Sequence, residues 1–326
     1  MTDGETAKYH ISPQQAAALL GPIEDALGTF EERTGHYLAQ LELDSAEDAA
    51  ALRAARDALR QAVERVTAVV GQPVAGPASD KGAAATAGRK RVLITGAGGR
   101  IGRDLGERLK ERYDLRLMYH HTVPEAPPSE DWLTAETTDM DAVSKAMAGV
   151  DAVVHLAGEP SPRASWEEVL DANIVGTRTI LEAAHRAGVE RVVFASTNHV
   201  MGMYDRDRAW PIYADLPVRP DSLYGVSKAF GETLGRFYAD QHGLRVVCLR
   251  IGWFLDEPND EISRWMWLSP RDCAQVVWRA IEADVRFGIY YAISANGGRH
   301  WDITDTIEVL GYRPEDDAER FFPPGG

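Results

Sequence analysis

The sequence predicts an α/β protein built on a doubly wound parallel sheet, with a small C-terminal substrate lobe and an N-terminal α-helical extension. Three observations predict it. The run Arg91-Val-Leu-Ile-Thr-Gly-Ala-Gly-Gly-Arg-Ile-Gly102 passes without a gap from apolar residues through a glycine cluster into a helical pattern. Further apolar runs then alternate with helical patterns, the arrangement of parallel strands and crossover helices. A tyrosine and a lysine on one helical face, Tyr224 and Lys228, follow the last of the clear apolar runs before them.

Val92 to Ile94 read as a buried parallel strand. Gly96 permits the tight turn that leaves it, Gly99 lets a backbone approach a pyrophosphate, and Gly102 lets the next helix pack closely on the sheet. The free N–H groups that open this helix, Asp104 to Arg112, would face an anion, with Arg100 and Ile101 beside them. Because the glycines follow a strand and open a helix, they read as a Rossmann-type dinucleotide fingerprint rather than an ordinary turn.

At 326 residues the chain can bury a full core. Its formal charge of -15 argues against a nucleic-acid partner, since a phosphate backbone needs a basic face. Cys248 and Cys273 are the only cysteines, so neither a disulfide framework nor a zinc cluster is available and no metal is expected. No stretch approaches the ~20 apolar residues of a membrane span, and the acidic N-terminus is not a signal peptide. The expected location is cytoplasmic, with no membrane partner.

Residues 1–71 precede the glycine loop as a helical extension. Ser12-Pro-Gln-Gln15 and Ser45-Ala-Glu-Asp48 have the form of helix starts. Leu52, Ala55, Leu59, Ala62, Val66 and Val69 then make one apolar stripe that must be covered by something. Residues 72–88, rich in Ala, Gly and Pro, read as a flexible linker. The extension is expected either to hold a homo-oligomer together, dimer or tetramer, or to act as a lid over an active site.

In the cofactor half, Tyr113 to Met118 form the second strand, where an acid at the end would accept from a ribose 2'-hydroxyl. This chain has Tyr119-His120-His121 there, and two adjacent histidines on a strand point to opposite faces and make no metal site. Glu136, followed by Thr137, closes the third strand and could accept from an adenine amino group. Ala152-Val-Val-His-Leu-Ala-Gly158 is the fourth strand, with Leu156, Ala157 and Gly158 passing beneath the nicotinamide ribose. Asn173-Ile-Val-Gly-Thr177 opens the following helix.

The fifth strand, Val192 to Ala195, runs into Ser196-Thr-Asn-His-Val-Met-Gly202, ahead of Tyr224-Gly-Val-Ser-Lys228. A lysine charge beside a phenol lowers the phenol's pKa, and the Thr197 hydroxyl can hold a substrate oxygen. Together they remove a proton from a carbinol as hydride leaves for a nicotinamide.

With this order of motifs the chain from Arg91 onward resembles an extended short-chain dehydrogenase/reductase of the NAD-dependent epimerase/dehydratase family. The resemblance implies Tyr224, Lys228 and Thr197 as catalytic, with Ser196 as the fallback hydroxyl. It implies NAD as cofactor, bound by Gly96, Gly99, Arg100, Ile101, Gly102, Glu136, Thr137, Leu156, Ala157, Gly158, Asn173, Tyr224 and Lys228. Residues 89–326 would form this domain, with the substrate lobe mainly at 253–326.

Thr197-Asn-His199, Pro220-Asp-Ser-Leu-Tyr-Gly-Val-Ser-Lys228, Leu249-Arg-Ile-Gly252, Trp267-Leu-Ser-Pro-Arg-Asp272, Ser294-Ala-Asn296 and Leu310-Gly-Tyr-Arg-Pro314 are also similar to uronate dehydrogenases. Those enzymes oxidise the anomeric carbon of a uronic acid with NAD. The similarity implies Ser161, Thr197, Asn198, His199, Trp253, Arg264 and Trp267 at the substrate. Two departures matter: the arginine that holds the substrate carboxylate falls on Ile262, and the serine after Arg-Ile-Gly is Trp253, which favours stacking on a flat ligand. Arg264 is the candidate replacement for the lost cation. The chain also looks like the nucleoside dehydratase of the angustmycin pathway. The expected substrate is therefore a sugar or nucleoside. Transient oxidation with loss of water, His199 serving as base, is favoured over a dehydrogenase that releases NADH, so a lyase is expected ahead of an oxidoreductase.

Overall fold

A computed structural model describes residues 88–120 and 123–322. The expectations for the extension at 1–71, for the linker apart from Gly88, and for His121 lie outside the described residues. In chain order the strands are β1 (Arg91–Thr95), β2 (Asp114–Tyr119), β3 (Trp132–Thr134), β4 (Ala152–His155), β5 (Arg191–Thr197), β6 (Arg245–Ile251), β7 (Trp253–Phe254), β8 (Trp267–Leu268) and β9 (Phe287–Ala292). Seven of them form one sheet in the order β3-β2-β1-β4-β5-β6-β9, and every neighbouring pair is parallel. This is the doubly wound Rossmann-like sheet that the alternation of patterns predicts.

Helices cover both faces of the sheet, so its central strands are apolar on both sides. Successive residues of β1 go to opposite faces: Val92 and Ile94 join a core with Leu105, Leu117 and Val276, while Leu93 joins another with Val153, Ile180 and Val246. The strand order reverses between β1 and β4, which opens a crevice beyond their carboxyl ends.

The helices that frame the crevice are α1 (Arg100–Leu109), α2 (Met140–Ala146), α3 (Trp166–Val169), α4 (Gly176–Ala187), α5 (Gly202–Arg206) and α6 (Leu223–His242). Between α3 and α4 the chain stays helical through a π-helical stretch, Leu170–Val175. Asn173 therefore lies inside a longer helical run and does not open it. The start is Ser165, whose hydroxyl accepts from the Glu168 N–H while the Glu168 carboxylate reaches back to the Ser165 N–H. Single π-helical turns of this kind are frequent at functional sites.

Helices α7 (Glu261–Met266), α8 (Pro270–Glu282) and α9 (Thr304–Leu310) complete the domain. The short parallel pair β7–β8, with Trp253 opposite Trp267, and α7 between its strands form a small unit separate from the main sheet, in the segment where the sequence places a substrate lobe. The lobe is not continuous to the C-terminus. Residues 270–292 return to the sheet as α8 and β9, because β6 is buried along Val246 to Ile251 and needs a neighbour on its far side, which β9 supplies. The apolar stripe of α8, Cys273, Val276, Val277 and Ala280, then packs onto that sheet.

Candidate active site

The glycine turn brings backbone close to the start of a helix with no side chain in the way. Gly96 has φ +69°, and a Cβ there would stand 2.7 Å from the Ala157 N. A Cβ on Gly102 would stand 2.4 Å from the Gly96 O, so α1 packs on the turn only as glycine. Helix α1 begins at Gly99 with no side-chain cap and no acidic residue in its first turn, which leaves its N–H groups and positive dipole end for an anion. These features fit a dinucleotide pyrophosphate. At the far side of the crevice the end of β2 carries no acid. His120 Nε2 lies 2.6 Å from the Glu136 carboxylate instead, so a carboxylate from just past β3 stands beside the end of β2.

From this turn a cavity of about 1550 Å³ runs to the end of β5. Gly96, Gly99, Arg100, Ile101, Gly102, Glu136, Thr137, Leu156, Ala157 and Gly158 line one part of it, and Thr197, Asn198, His199, Tyr224, Lys228 and Trp253 line the other. The fold thus gathers residues that are scattered over more than a hundred positions of sequence.

Strand β5 delivers Thr197, and Ser222 caps α6 by accepting from the Gly225 N–H, which places Tyr224 and Lys228 on the first turns of that helix. Ser196, the fallback hydroxyl, is committed elsewhere: it donates to Glu232 at 2.6 Å, and Glu232 is held by a bidentate pair with the buried Arg250. Both residues line the cavity, and Thr197 is the one whose hydroxyl is not committed to the Glu232–Arg250 pair. Burial pushes the Tyr224 phenol up to about 12, the Thr197 hydroxyl acts against it, and the Glu159 charge adds to it. Burial pulls the Lys228 ammonium down to about 8. Its Nζ sits 5.0 Å from the Phe194 ring centre and 5.9 Å from that of Tyr224. The expectation that the lysine charge lowers the phenol pKa is therefore outweighed by burial, because the amine loses its proton before the phenol does.

Beside this group, His199 lines the cavity with its Nδ1 on Asp221, and its ring meets the Tyr224 ring edge-on with centres 5.9 Å apart. Asn198 accepts from Thr197 and directs its amide to the Met266 Sδ at 3.7 Å. Deeper in the sheet, His155 bridges Thr95 and Thr177, and burial followed by the Lys228 charge lowers its pKa to about 3, so it stays neutral.

Four candidates do not line the cavity. Arg264 gives Nε and Nη2 to Glu319 at 2.7 and 2.5 Å, so it is not a free replacement for a carboxylate anchor. Trp267 is buried with its indole N–H on the Leu255 O, holding β8 in place. Ser161 accepts from the Arg163 N–H in a surface turn. Asn173 clamps the backbone of Glu159, accepting from its N–H at 2.7 Å and donating to its carbonyl at 3.1 Å. Glu159, Asp221 and His155 carry no motif of their own, and sequence reading passed over all three. Only Asp221 had a signal, as a member of the Pro220-Asp-Ser run ahead of Tyr224.

Residues 92–254 match the model of the NAD dependent epimerase/dehydratase family. The chain is 42% identical over 251 residues to the L-arabinose 1-dehydrogenase (NAD(P)(+)) of Haloferax volcanii, covering 70% of this chain and 97% of that protein. It is 39% identical over 234 residues to the uronate dehydrogenase of Pseudomonas putida, covering 71% and 86%. The crystal structure of uronate dehydrogenase from Agrobacterium tumefaciens superimposes with a TM-score of 0.66 at 36% identity, over 73% of this chain and 91% of that one. These relatives are oxidoreductases, which overturns the lyase expectation, and none of them supports a nucleoside as substrate. The structure adds a physical reason. The position directly after Thr197 holds Asn198, an amide directed at a thioether, which can neither give nor take the proton that an elimination requires. Its cofactor is NAD, and the chain belongs to the NAD-dependent epimerase/dehydratase family.

Proposed function

We propose that the chain is a sugar dehydrogenase that oxidises one carbinol of its substrate and releases NADH. The observation that carries the reading is the convergence of Thr197, Tyr224 and Lys228 on one end of the cavity that begins at the glycine turn. NAD, when bound, accepts hydride from the carbinol carbon.

Gly96, Gly99 and the first turn of α1 would hold the pyrophosphate, Glu136 the adenosine end, and Tyr224 and Lys228 the nicotinamide ribose. The Thr197 hydroxyl would hold the substrate oxygen beside Tyr224, whose phenol must first lose its own proton to solvent; the resulting phenolate takes the carbinol proton as hydride leaves. A phenol near 12 and an amine near 8 do not share a proton readily. A cationic Lys228 and the Thr197 hydrogen bond both favour the phenolate, so each lowers the barrier to proton removal. Likeness to an L-arabinose 1-dehydrogenase and to uronate dehydrogenases supports a sugar as the substrate and its anomeric carbon as the site of oxidation.

The test is direct. Purified protein with NAD and a panel of aldoses, uronates and sugar phosphates is followed by absorbance of the reduced nicotinamide. Steady formation of NADH with one class supports the reading. Consumption of sugar with no net NADH would sink it.

A further inference from the structure

We infer that Glu159 is a specificity-determining residue that selects an uncharged sugar: its carboxylate accepts from substrate hydroxyls and repels a substrate that carries a carboxylate or phosphate. This rests on the dehydrogenase reading and names the class of sugar for it.

Glu159 follows Gly158 just past the carboxyl end of β4, at the point where the strand order reverses, and it lines the cavity between Gly158 and Pro160. One side chain holds it there. Asn173 is 1% exposed, engages both backbone polar groups of Glu159, and donates to the Ser227 Oγ at 2.8 Å. Ser227 immediately precedes Lys228, so Glu159 is registered to the helix that carries Tyr224 and Lys228. Gly158 makes the clamp possible, since a Cβ there would stand 2.6 Å from the Asn173 Oδ1. The carboxylate is itself anchored, with its Oε1 accepting from the Ser161 N–H at 2.9 Å. Its charge is close enough to bear on the Tyr224 phenol.

The cations near this end of the cavity are accounted for. Arg264 is paired with Glu319 and does not line the cavity, Arg100 sits at the glycine turn and donates to the Phe254 O, and Lys228 serves the phenol. Where the uronate dehydrogenases carry their arginine this chain has Ile262, which also lines the cavity. An anionic substrate thus meets a fixed carboxylate and no spare counter-charge, while a sugar hydroxyl meets a charged acceptor.

Glu159→Gln separates charge from structure, because the amide oxygen can still accept from the Ser161 N–H. Two readouts are taken on the full chain: kcat/KM for galactose and galacturonate with NAD, and equilibrium binding of the same two sugars to the protein–NADH complex. The galactose to galacturonate preference falls tenfold or more in both, with NAD affinity and Tm unchanged, and the acidic limb of the kcat profile moves to lower pH as the Tyr224 phenol loses a neighbouring charge. A preference unchanged in both readouts overturns the proposal. If the wild-type protein binds both sugars and the binding preference shifts without any turnover, the role of Glu159 stands and the dehydrogenase reading falls. Turnover that is intact and indifferent to the substitution gives the reverse.

Discussion

His199 and Asp221 act as one unit: the imidazole Nδ1 lies 3.0 Å from both oxygens of the Asp221 carboxylate, and the Asp221 backbone N–H donates to the His199 carbonyl. Two glycines make room for the pair. A Cβ on Gly202 would stand 2.2 Å from the Asp221 Oδ2, and one on Gly225 would stand 2.5 Å from the His199 O. Burial alone would raise the Asp221 pKa, but bonds from His199 and Ser222 and the charges of His199 and Arg206 hold it below the ordinary carboxylate value. The carboxylate therefore stays ionised and accepts from the Nδ1–H, which fixes the orientation of the ring at the cavity. Asp221→Asn should lower kcat/KM by roughly 10- to 100-fold, the worth of one charge-assisted hydrogen bond. Steady-state kinetics beside a Tm check it. A kcat/KM within about twofold of wild type would remove the pair from the reaction.

The division between Ser196 and Thr197 makes a sharper test of the hydroxyl that faces the substrate. Thr197→Val and Tyr224→Phe should each cost about 10²- to 10⁴-fold in kcat, the usual range for an acid–base group, with little change in NAD affinity. Ser196→Ala instead takes a hydrogen bond from the buried Glu232, which Arg250 still holds twice, so it should cost about 1 kcal/mol of stability and leave kcat nearly intact. A Ser196→Ala variant as inactive as Thr197→Val would show that the assignment is reversed.

Much of this site was legible in the sequence because its pieces are local. The glycine turn, the Ser-Thr end of β5 and the Tyr-x-x-x-Lys of α6 are each a single secondary-structure element whose spacing states its geometry. What depends on a partner far along the chain was not legible. Arg264 reads as a free cation in the sequence, but Glu319, 55 positions later, takes its Nε and Nη2. Glu159 looked like any loop acid, since its placement is set by Asn173 through backbone groups that leave no residue pattern. The return of residues 270–292 to the sheet was hidden for the same reason, because a strand carries no mark of which neighbour it pairs with.

Lys228 should weaken the fold it serves. Its pKa is lowered by burial from 10.5 to about 8, so the folded protein binds fewer protons than the unfolded chain between those values. Below about 8 both states hold the proton and the folded state carries the full cost of a buried ammonium, on the order of 3 kcal/mol. As pH rises from about 8 to 10.5 the cost disappears. Lys228→Met should therefore be inactive yet raise Tm at pH 7, with the gain shrinking towards pH 10.5. Paired thermal melts at the two pH values check it, and an equal or lower Tm at pH 7 would contradict the desolvation argument.

Ile262 gives the converse test of charge selection. It stands in the first turn of α7, lines the cavity and is 51% exposed, so a longer side chain can enter without displacing core. An arginine there offers a planar fork that matches a carboxylate, and a bidentate pair of this kind is worth about 1.5 to 3 kcal/mol. Ile262→Arg should raise kcat/KM for galacturonate by roughly 10-fold or more. In the wild-type background part of that gain is lost, since Glu159 competes for the new guanidinium, so the double variant Ile262→Arg/Glu159→Gln should gain more than the sum of the single changes in free energy. The gain should also fall with added salt, because the contact lies at a half-open site. If galacturonate stays a poor substrate in a double variant of unchanged Tm, shape at Trp253 rather than charge excludes it, and Trp253→Ser becomes the substitution that restores it.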